Sequence, residues 1–331
     1  MVPLLGQDVA RDTLRRAVAR DRLHHAYRFE GPVGVGKELA ALHLAAALLC
    51  DARRDEGVGC GVCDACTRVF ALSVDEPHLP LHPDVLLVGR ALYPGAVIGR
   101  KEREKQNISV EQVRKVVLIR VPSPPHEGRA RVVIIREADE LSASAANALL
   151  KTLEEPPPRT YFVLLTAKPG ELLDTIRSRT LPLRFGPLGD SVLRTLLAAR
   201  SIEPSEIERI LPLAGGSMAS ALAALDPESS QARDAFVEGV LAAVNGADLR
   251  PGLALAQSRD KDKDNLRGHL TALAVRLATD ARRSVRERTD HEARLAAQFE
   301  VVTHALTELD ENVSPQLLLE SMMVQLRAAP R

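Results

Sequence analysis

The sequence predicts an α/β core built on a parallel sheet, followed by an all-helical region, and two observations carry that prediction. In the first half, short aliphatic runs alternate with helical patterns. Segments such as 131–135 and 161–165 are apolar nearly throughout, as strands covered by helices on both faces should be. Beyond Pro187 the β-branched runs nearly vanish, and leucine- and alanine-rich helical periodicity takes over. At 331 residues the chain can hold two domains, or three if one is small. Its 45% hydrophobic content permits large cores. With 3% aromatics and no Trp those cores are aliphatic, and base-stacking platforms are disfavoured.

In chain order, the first half reads YRFEG, ELAALHLAAALLC, PDVLLVG, VRKVVLIRV, RARVVII, NALLKTLEE and YFVLLTA. In NALLKTLEE, Asn147 occupies an acceptable cap position. Leu149, Leu150 and Leu153 are spaced as one buried face, and Pro156, Pro157 and Pro158 stop the helix. Helical stretches then follow at 190–200, 205–211, 217–225, 230–244, 264–286, 290–309 and 314–328, with a turn at Gly215 and Gly216. The turn-rich NGADLRPG at 245–252 weakly marks a boundary, and the charged RDKDKDN at 259–265 reads as a solvated helix start or loop.

Basic and acidic side chains number 44 each, so the net charge is zero and no global field draws the chain to nucleic acid or an anionic membrane. No twenty-residue apolar span occurs, and MVPLLGQDVARD lacks the pattern of a secretory signal. A soluble cytoplasmic protein with no membrane partner is expected.

Gly31, Pro32, Val33, Gly34, Val35, Gly36 and Lys37 follow a short apolar strand and precede a helical run, the context a phosphate-binding loop requires. Backbone amides of such a loop converge on phosphate oxygens, and Lys37 can reach the outer phosphates as a point charge. The next residue should be a Ser or Thr that holds magnesium; here it is Glu38. An acidic residue should close a hydrophobic strand as the second magnesium element. After Val132, Val133, Ile134 and Ile135 come Arg136, which cannot ligate a cation, and Glu137, read as a vestigial base or a salt-bridge partner. Asp139 reads as a surface or capping residue. The lysine is kept while both metal-holding elements have changed, so the sequence predicts weak ATP or ADP binding or none, a lost Mg2+ site and no useful hydrolysis.

Cys50, Cys60, Cys63 and Cys66 lie within seventeen residues, and the rest of the chain has no cysteine. Four thiolates at that spacing suit one tetrahedral structural Zn2+, ahead of an iron–sulfur cluster or unbound thiols. A fully protein-derived shell leaves no open position for substrate, so the ion's task is to hold an insertion together. His78 and His82 nearby are read as capping or packing residues.

HHAYRFEGPVGVGK at 24–37, the cysteine cluster, HPD at 82–84, ISVEQVR at 108–114, NALLKTLEEPP at 147–157 and LLTAKPGELLDTIRSRT at 164–180 together resemble the bacterial clamp-loader AAA+ subunits of DNA polymerase III. Within that family, Glu38, Arg136, a single collar-sized helical end and Ser220 at the position of a sensor arginine point to the delta-prime subunit more than to the tau/gamma motor subunit.

The resemblance implies an AAA+ (P-loop type) parallel-sheet core over 1–187 with a zinc-binding insertion at about 50–66. A helical lid over 188–244 and a helical collar for oligomerisation over 245–331 would follow. Gly31, Gly34, Gly36, Lys37 and Thr166, at the first sensor position, would be the remnant of a nucleotide site. Arg179, after Ser178, would be an arginine finger presented in trans to a neighbouring motor subunit's ATP, with Thr180 replacing the family's cysteine. A planar, permanently charged guanidinium suits the charge developing on a transferred phosphoryl group. The implied partners are the tau/gamma motor subunits and the delta subunit, and through them the sliding clamp and primed DNA, within nucleoid-associated replication machinery. Two alternatives stay open: an active tau/gamma-like ATPase with Glu38 as a metal ligand, and a zinc-containing DNA-binding module using RKEREK at 100–105 as a basic patch.

Overall fold

The structure, a computed structural model, describes residues 2–52, 56–99, 107–127, 129–246, 263–289, 291–310 and 313–330. RKEREK, most of NGADLRPG and the first part of RDKDKDN lie outside the described residues. By internal contacts the chain divides into two compact units, Met1–Val192 and Leu193–Arg331.

The first unit is an α/β core. Strands β1 (Ala26–Glu30), β2 (Val85–Val88), β3 (Arg131–Ile135), β4 (Thr160–Thr166) and β5 (Leu181–Arg184) form one parallel sheet in the order β2-β3-β4-β1-β5. Alternate residues of each strand serve opposite faces. Val132, Ile134 and Val163 pack with Leu14, Leu44 and Leu49 from helices α1 (Asp8–Ala19) and α2 (Lys37–Leu49). Val133, Ile135, Phe162 and Leu164 pack on the other face with Leu149 and Leu153. Every residue of β2 and β3 is buried, which is why these segments show no polar alternation. Fully burying one such side chain contributes about 1.5–3 kcal/mol, so the two cores dominate the stability of this unit.

Helix α2 carries Ala40, Ala41, Ala45, Ala46 and Ala47, all buried, because it is covered on more than one side. Cysteines follow in the segment that leads to α3 (Asp64–Phe70). Two short helices, α4 (Gly95–Ile98) and α5 (Val110–Val113), come next, and the run after α5 continues as a π-turn over Arg114–Leu118. Helix α6 spans Ala143–Glu154 and corrects the expected cap. Ser142 takes that role, its Oγ accepting from the Ala145 amide at 3.2 Å, and Asn147 lies inside the helix. The alanines of ASAAN propagate the helix upstream to the nearest residue able to cap it. The short helix α7 (Asp174–Arg177) precedes β5.

The second unit is helical throughout its described residues. Helix α8 (Asp190–Ala198) begins at the junction. Then follow α9 (Pro204–Ala214), α10 (Met218–Leu225), α11 (Pro227–Asn245), α12 (Lys263–Glu287), α13 (Glu292–Asp310) and α14 (Pro315–Ala328). Gly215 and Gly216, both at positive φ, end α9 in the left-handed conformation that glycine adopts at least cost. Helices α11 to α14 share one aliphatic core around Val240, Leu270, Leu273, Val302, Leu309, Met322 and Leu326. No helix among the described residues is long and apolar enough to cross a membrane.

Candidate functional site: a glycine loop, a cysteine cluster and an arginine turn

The strand order brings the ends of β1, β3 and β4 together, since β4 lies between the other two. The glycine loop leaves β1 there. Gly31 has φ +150°, and a Cβ on it would come within 2.2 Å of the Phe185 carbonyl oxygen, so only glycine fits. Gly36 caps α2 at φ 100°. Lys37, 9% exposed, turns its ammonium back onto the loop, donating to the carbonyls of Gly31 and Pro32. Burial pulls its pKa down to about 8, partly offset by the charge of Asp139.

Glu38, one residue further, does not face an open cation site. Arg136 leaves β3 with its amide bonded to the Val88 carbonyl at 2.8 Å and reaches the Glu38 carboxylate as a fork. Nε donates to Oε2 at 2.7 Å and Nη2 donates to Oε1. Gly89 makes room for this: a Cβ there would lie 3.2 Å from both Cβ and Cδ of Arg136. Planar, two-point pairing of this kind is the strong form of a carboxylate–guanidinium contact. A magnesium ion needs oxygen ligands open to it, and here the carboxylate is held by a fixed cation. The residues present do not fit a magnesium nucleotide.

Of the neighbouring candidate residues, Glu137, Thr166 and Ser220 make local contacts. Glu137, with φ 46°, receives Arg90 Nη2 at 3.3 Å on Oε1, so it is a salt-bridge partner. Asp139 is half-buried on a short 3-10 turn, and its Oδ1 has no hydrogen-bond partner among the described residues. Thr166, paired in register with Glu30, uses its hydroxyl to accept the Lys168 amide at 2.9 Å. Ser220 is exposed and donates its amide to the Ser217 cap of α10.

The four cysteine sulfurs converge. Cys50 ends α2, Cys60 follows in the insertion, Cys63 caps α3 and Cys66 lies in its first turn. Their Sγ atoms all lie within 4.8 Å of one another, and Cys50 and Cys63 Sγ are 3.9 Å apart. Sulfurs bound at about 2.3 Å to one tetrahedral ion sit roughly 3.8 Å apart, so this donor set fits zinc. Amides of Cys60 and Cys63 donate to Cys50 and Cys60 Sγ, each at 3.3 Å, the orientation that favours thiolates. Donors of this kind lower the Cys60 pKa to about 6, whereas burial pushes the Cys50 and Cys66 thiols up. Cys50, Cys60, Cys63 and Cys66 would hold the ion, which would supply a structural cross-link. Arg129 steadies the cluster from outside through Nη1 to the Cys50 carbonyl at 2.7 Å. His82 is buried against Glu127 and accepts the Asp84 amide on Nδ1 at 3.2 Å, a packing role as expected.

Arg179 sits on the turn between α7 and β5, 31% exposed at its side chain and paired with Glu154 at the end of α6. The turn is anchored by buried Ile176 and by Thr180, whose Oγ1 donates to the Ile176 carbonyl at 2.9 Å and accepts from Arg28 Nη1 at 2.8 Å. Arg28, itself buried, also donates through Nε to Glu30 at 2.6 Å. A pocket of about 440 Å³ opens beside Arg179, lined by His24, His25, Leu153, Glu154 and Ser178 among others. The two imidazoles stack at 4.3 Å, and burial together with His24 lowers the His25 pKa. Glu154, Arg28 and the histidine pair were not singled out from the sequence as functional. They lay inside the motifs at 24–37 and 147–157, and the RFE spacing puts Arg28 and Glu30 on one face of a strand.

A parallel sheet carrying a glycine loop with its lysine, flanked by helices and followed by a helical collar, is an AAA+-like architecture of the P-loop type. The family model described as "DNA polymerase III, delta subunit" matches residues 6–189, more than half of the chain, and the chain belongs to that family. The motif resemblance is thereby borne out.

DNA polymerase III subunit delta' of Pseudomonas aeruginosa is 37% identical over 219 residues, covering 65% of this chain and 60% of the relative. That of Bacillus subtilis is 36% identical over 191 residues, covering 58% and 51%. DNA polymerase III subunit gamma/tau of Mycobacterium tuberculosis is 32% identical over 240 residues, covering 71% and 38%. The chain therefore spans roughly four-tenths to six-tenths of the length of these relatives.

Proposed function

We propose that this chain is a delta-prime-like, non-hydrolysing subunit of the DNA polymerase III clamp loader, a stator that supports ATP-driven loading of a sliding clamp onto primed DNA. The observation that carries this reading is the Arg136–Glu38 fork, which places a fixed guanidinium and an engaged carboxylate where a motor subunit needs magnesium ligands. Lys37, folded onto the carbonyls of its own loop, points the same way. The active-ATPase alternative needs Glu38 free to bind a metal, and its carboxylate is already paired.

In this role Arg179 is the arginine finger offered to the ATP of a neighbouring tau/gamma motor subunit. The core over 1–187, lid over 188–244 and collar over 245–331 divide the work between partner contacts and oligomerisation, with α11 (Pro227–Asn245) at the end of the lid range packed into the collar's core, and the zinc-bound insertion braces the core. Reconstitution with motor and delta subunits tests this reading. ATP turnover should depend on the presence of this chain and fall about 10³-fold or more with Arg179→Ala in an intact assembly. Purified chain turning over magnesium ATP by itself, with loss on Lys37→Ala, would establish the motor alternative instead.

A further inference from the structure

We propose that Glu154 is the positioning residue of Arg179: it fixes the guanidinium in the wall of the His24–His25 pocket, oriented to meet a phosphoryl group presented by a second subunit. The inference rests on the trans-acting reading of Arg179.

Three directions of hydrogen bonding define the guanidinium. Nε donates to Glu154 Oε1 at 2.8 Å, and Nη2 donates to the same oxygen. Nη1 donates to the Thr175 carbonyl at 2.9 Å and to Ser178 Oγ at 3.2 Å. Arginine has five N–H donors. Among the described residues these bonds commit four of them, which leaves one hydrogen on Nη2 to offer.

Both partners stand on rigid supports. Glu154 is the last residue of a helix pinned by buried Leu149 and Leu153 and ended by Pro156. The Leu153 carbonyl is bonded to His25 Nε2 at 3.0 Å, so the histidine turn ties down the same helix end. The Arg179 backbone is held by Ile176, Thr180 and Arg28 as described above. An unrestrained arginine samples many rotamers, and a side chain ordered in advance leaves less ordering for the encounter itself. The pair is partly exposed, 31% for Arg179 and 47% for Glu154, so solvent screens it. A phosphoryl oxyanion can take the remaining N–H. The pocket beside it, about 440 Å³, falls within the size range of small-molecule sites.

The test uses the full chain reconstituted with the motor and delta subunits, with assembly verified by sedimentation and with kcat and KM for ATP measured separately. Glu154→Ala should lower kcat about tenfold and leave KM unchanged. Glu154→Gln, whose amide oxygen can accept the same two bonds, should retain most of the wild-type kcat. Glu154→Asp, with its oxygen withdrawn by one methylene, should lower kcat severalfold, and it decides the matter if the alanine variant does not assemble. Adding Glu154→Ala to Arg179→Ala should cause no further loss.

Wild-type kcat in Glu154→Ala or Glu154→Asp, while Arg179→Ala is impaired, overturns this inference alone. Wild-type kcat in Arg179→Ala overturns the finger reading beneath it. A rise in kcat for Glu154→Ala and Glu154→Gln overturns positioning in favour of restraint.

Discussion

Arg136 and Glu38, ninety-eight residues apart in the sequence, meet through two guanidinium donors on the two oxygens of one carboxylate. Each of these residues alone departs from what a magnesium nucleotide site needs. Together they form a neutral pair that occupies the site with the protein's own charges.

The pairing predicts a coupled effect on stability. Arg136→Ala strands the Glu38 carboxylate and should cost about 1 kcal/mol, a modest figure because both side chains are about one-third exposed. Glu38→Ala combined with Arg136→Ala should be less destabilised than Arg136→Ala alone. A double-mutant cycle by urea unfolding reads the coupling, and strictly additive losses would contradict it.

Lys37 supplies a pH signature. Its folded pKa of about 8 lies below the ordinary 10.5, so at pH values below 8 the folded state carries the cost of a buried ammonium. Between about 8 and 10.5 the unfolded chain binds more protons at this position than the folded chain, so stability gains from rising pH. Relative to Lys37→Met, the wild type should gain stability from pH 8 to pH 10. Parallel curves for the two proteins would contradict the assignment.

Metal content tests the cysteine cluster. Protein purified under reducing conditions should carry about one zinc per chain, and Cys66→Ser should lose most of it. Because the Cys50 and Cys66 thiols are pushed up by burial, loading must displace protons, and zinc affinity should fall steeply as pH drops below neutrality. Chelation should lower the thermal midpoint, and a midpoint insensitive to metal removal would argue against a structural ion.

Thr180 is predicted to matter through Arg28. Thr180→Val keeps the shape but leaves a buried guanidinium short of one acceptor, at a cost of about 1–3 kcal/mol, whereas Thr180→Ser should be nearly neutral. Chemical denaturation of the two variants separates the hydroxyl from the methyl group.

What the sequence made legible follows physical range. The strands 131–135 and 161–165 announced themselves because burial on both faces removes polar residues altogether. The cysteines were readable because their ligand geometry is local, confined to the end of one helix and the start of the next. Glu38 and Arg136 were each recognisable as departures, yet their pairing depends on β3 delivering Arg136 to the loop and on Gly89 giving it room. Asn147 was misread as a cap because the leucine periodicity begins beyond it, while the preceding alanines, neutral in pattern, extend the helix to Ser142. Glu154 and Arg28 make their contacts with the arginine turn twenty-five and one hundred and fifty-two residues away, distances over which periodicity carries no information.

Helix α2 runs without interruption from Lys37 to Leu49 and delivers Cys50 directly at its end. Thirteen residues make a rod roughly 20 Å long. One end is clamped where the lysine grips its loop, and the other where Arg129 grips the Cys50 carbonyl. The same uninterrupted helix therefore begins at the glycine loop and ends at the first cysteine, so the two features are joined by one hydrogen-bonded element and not by a loop.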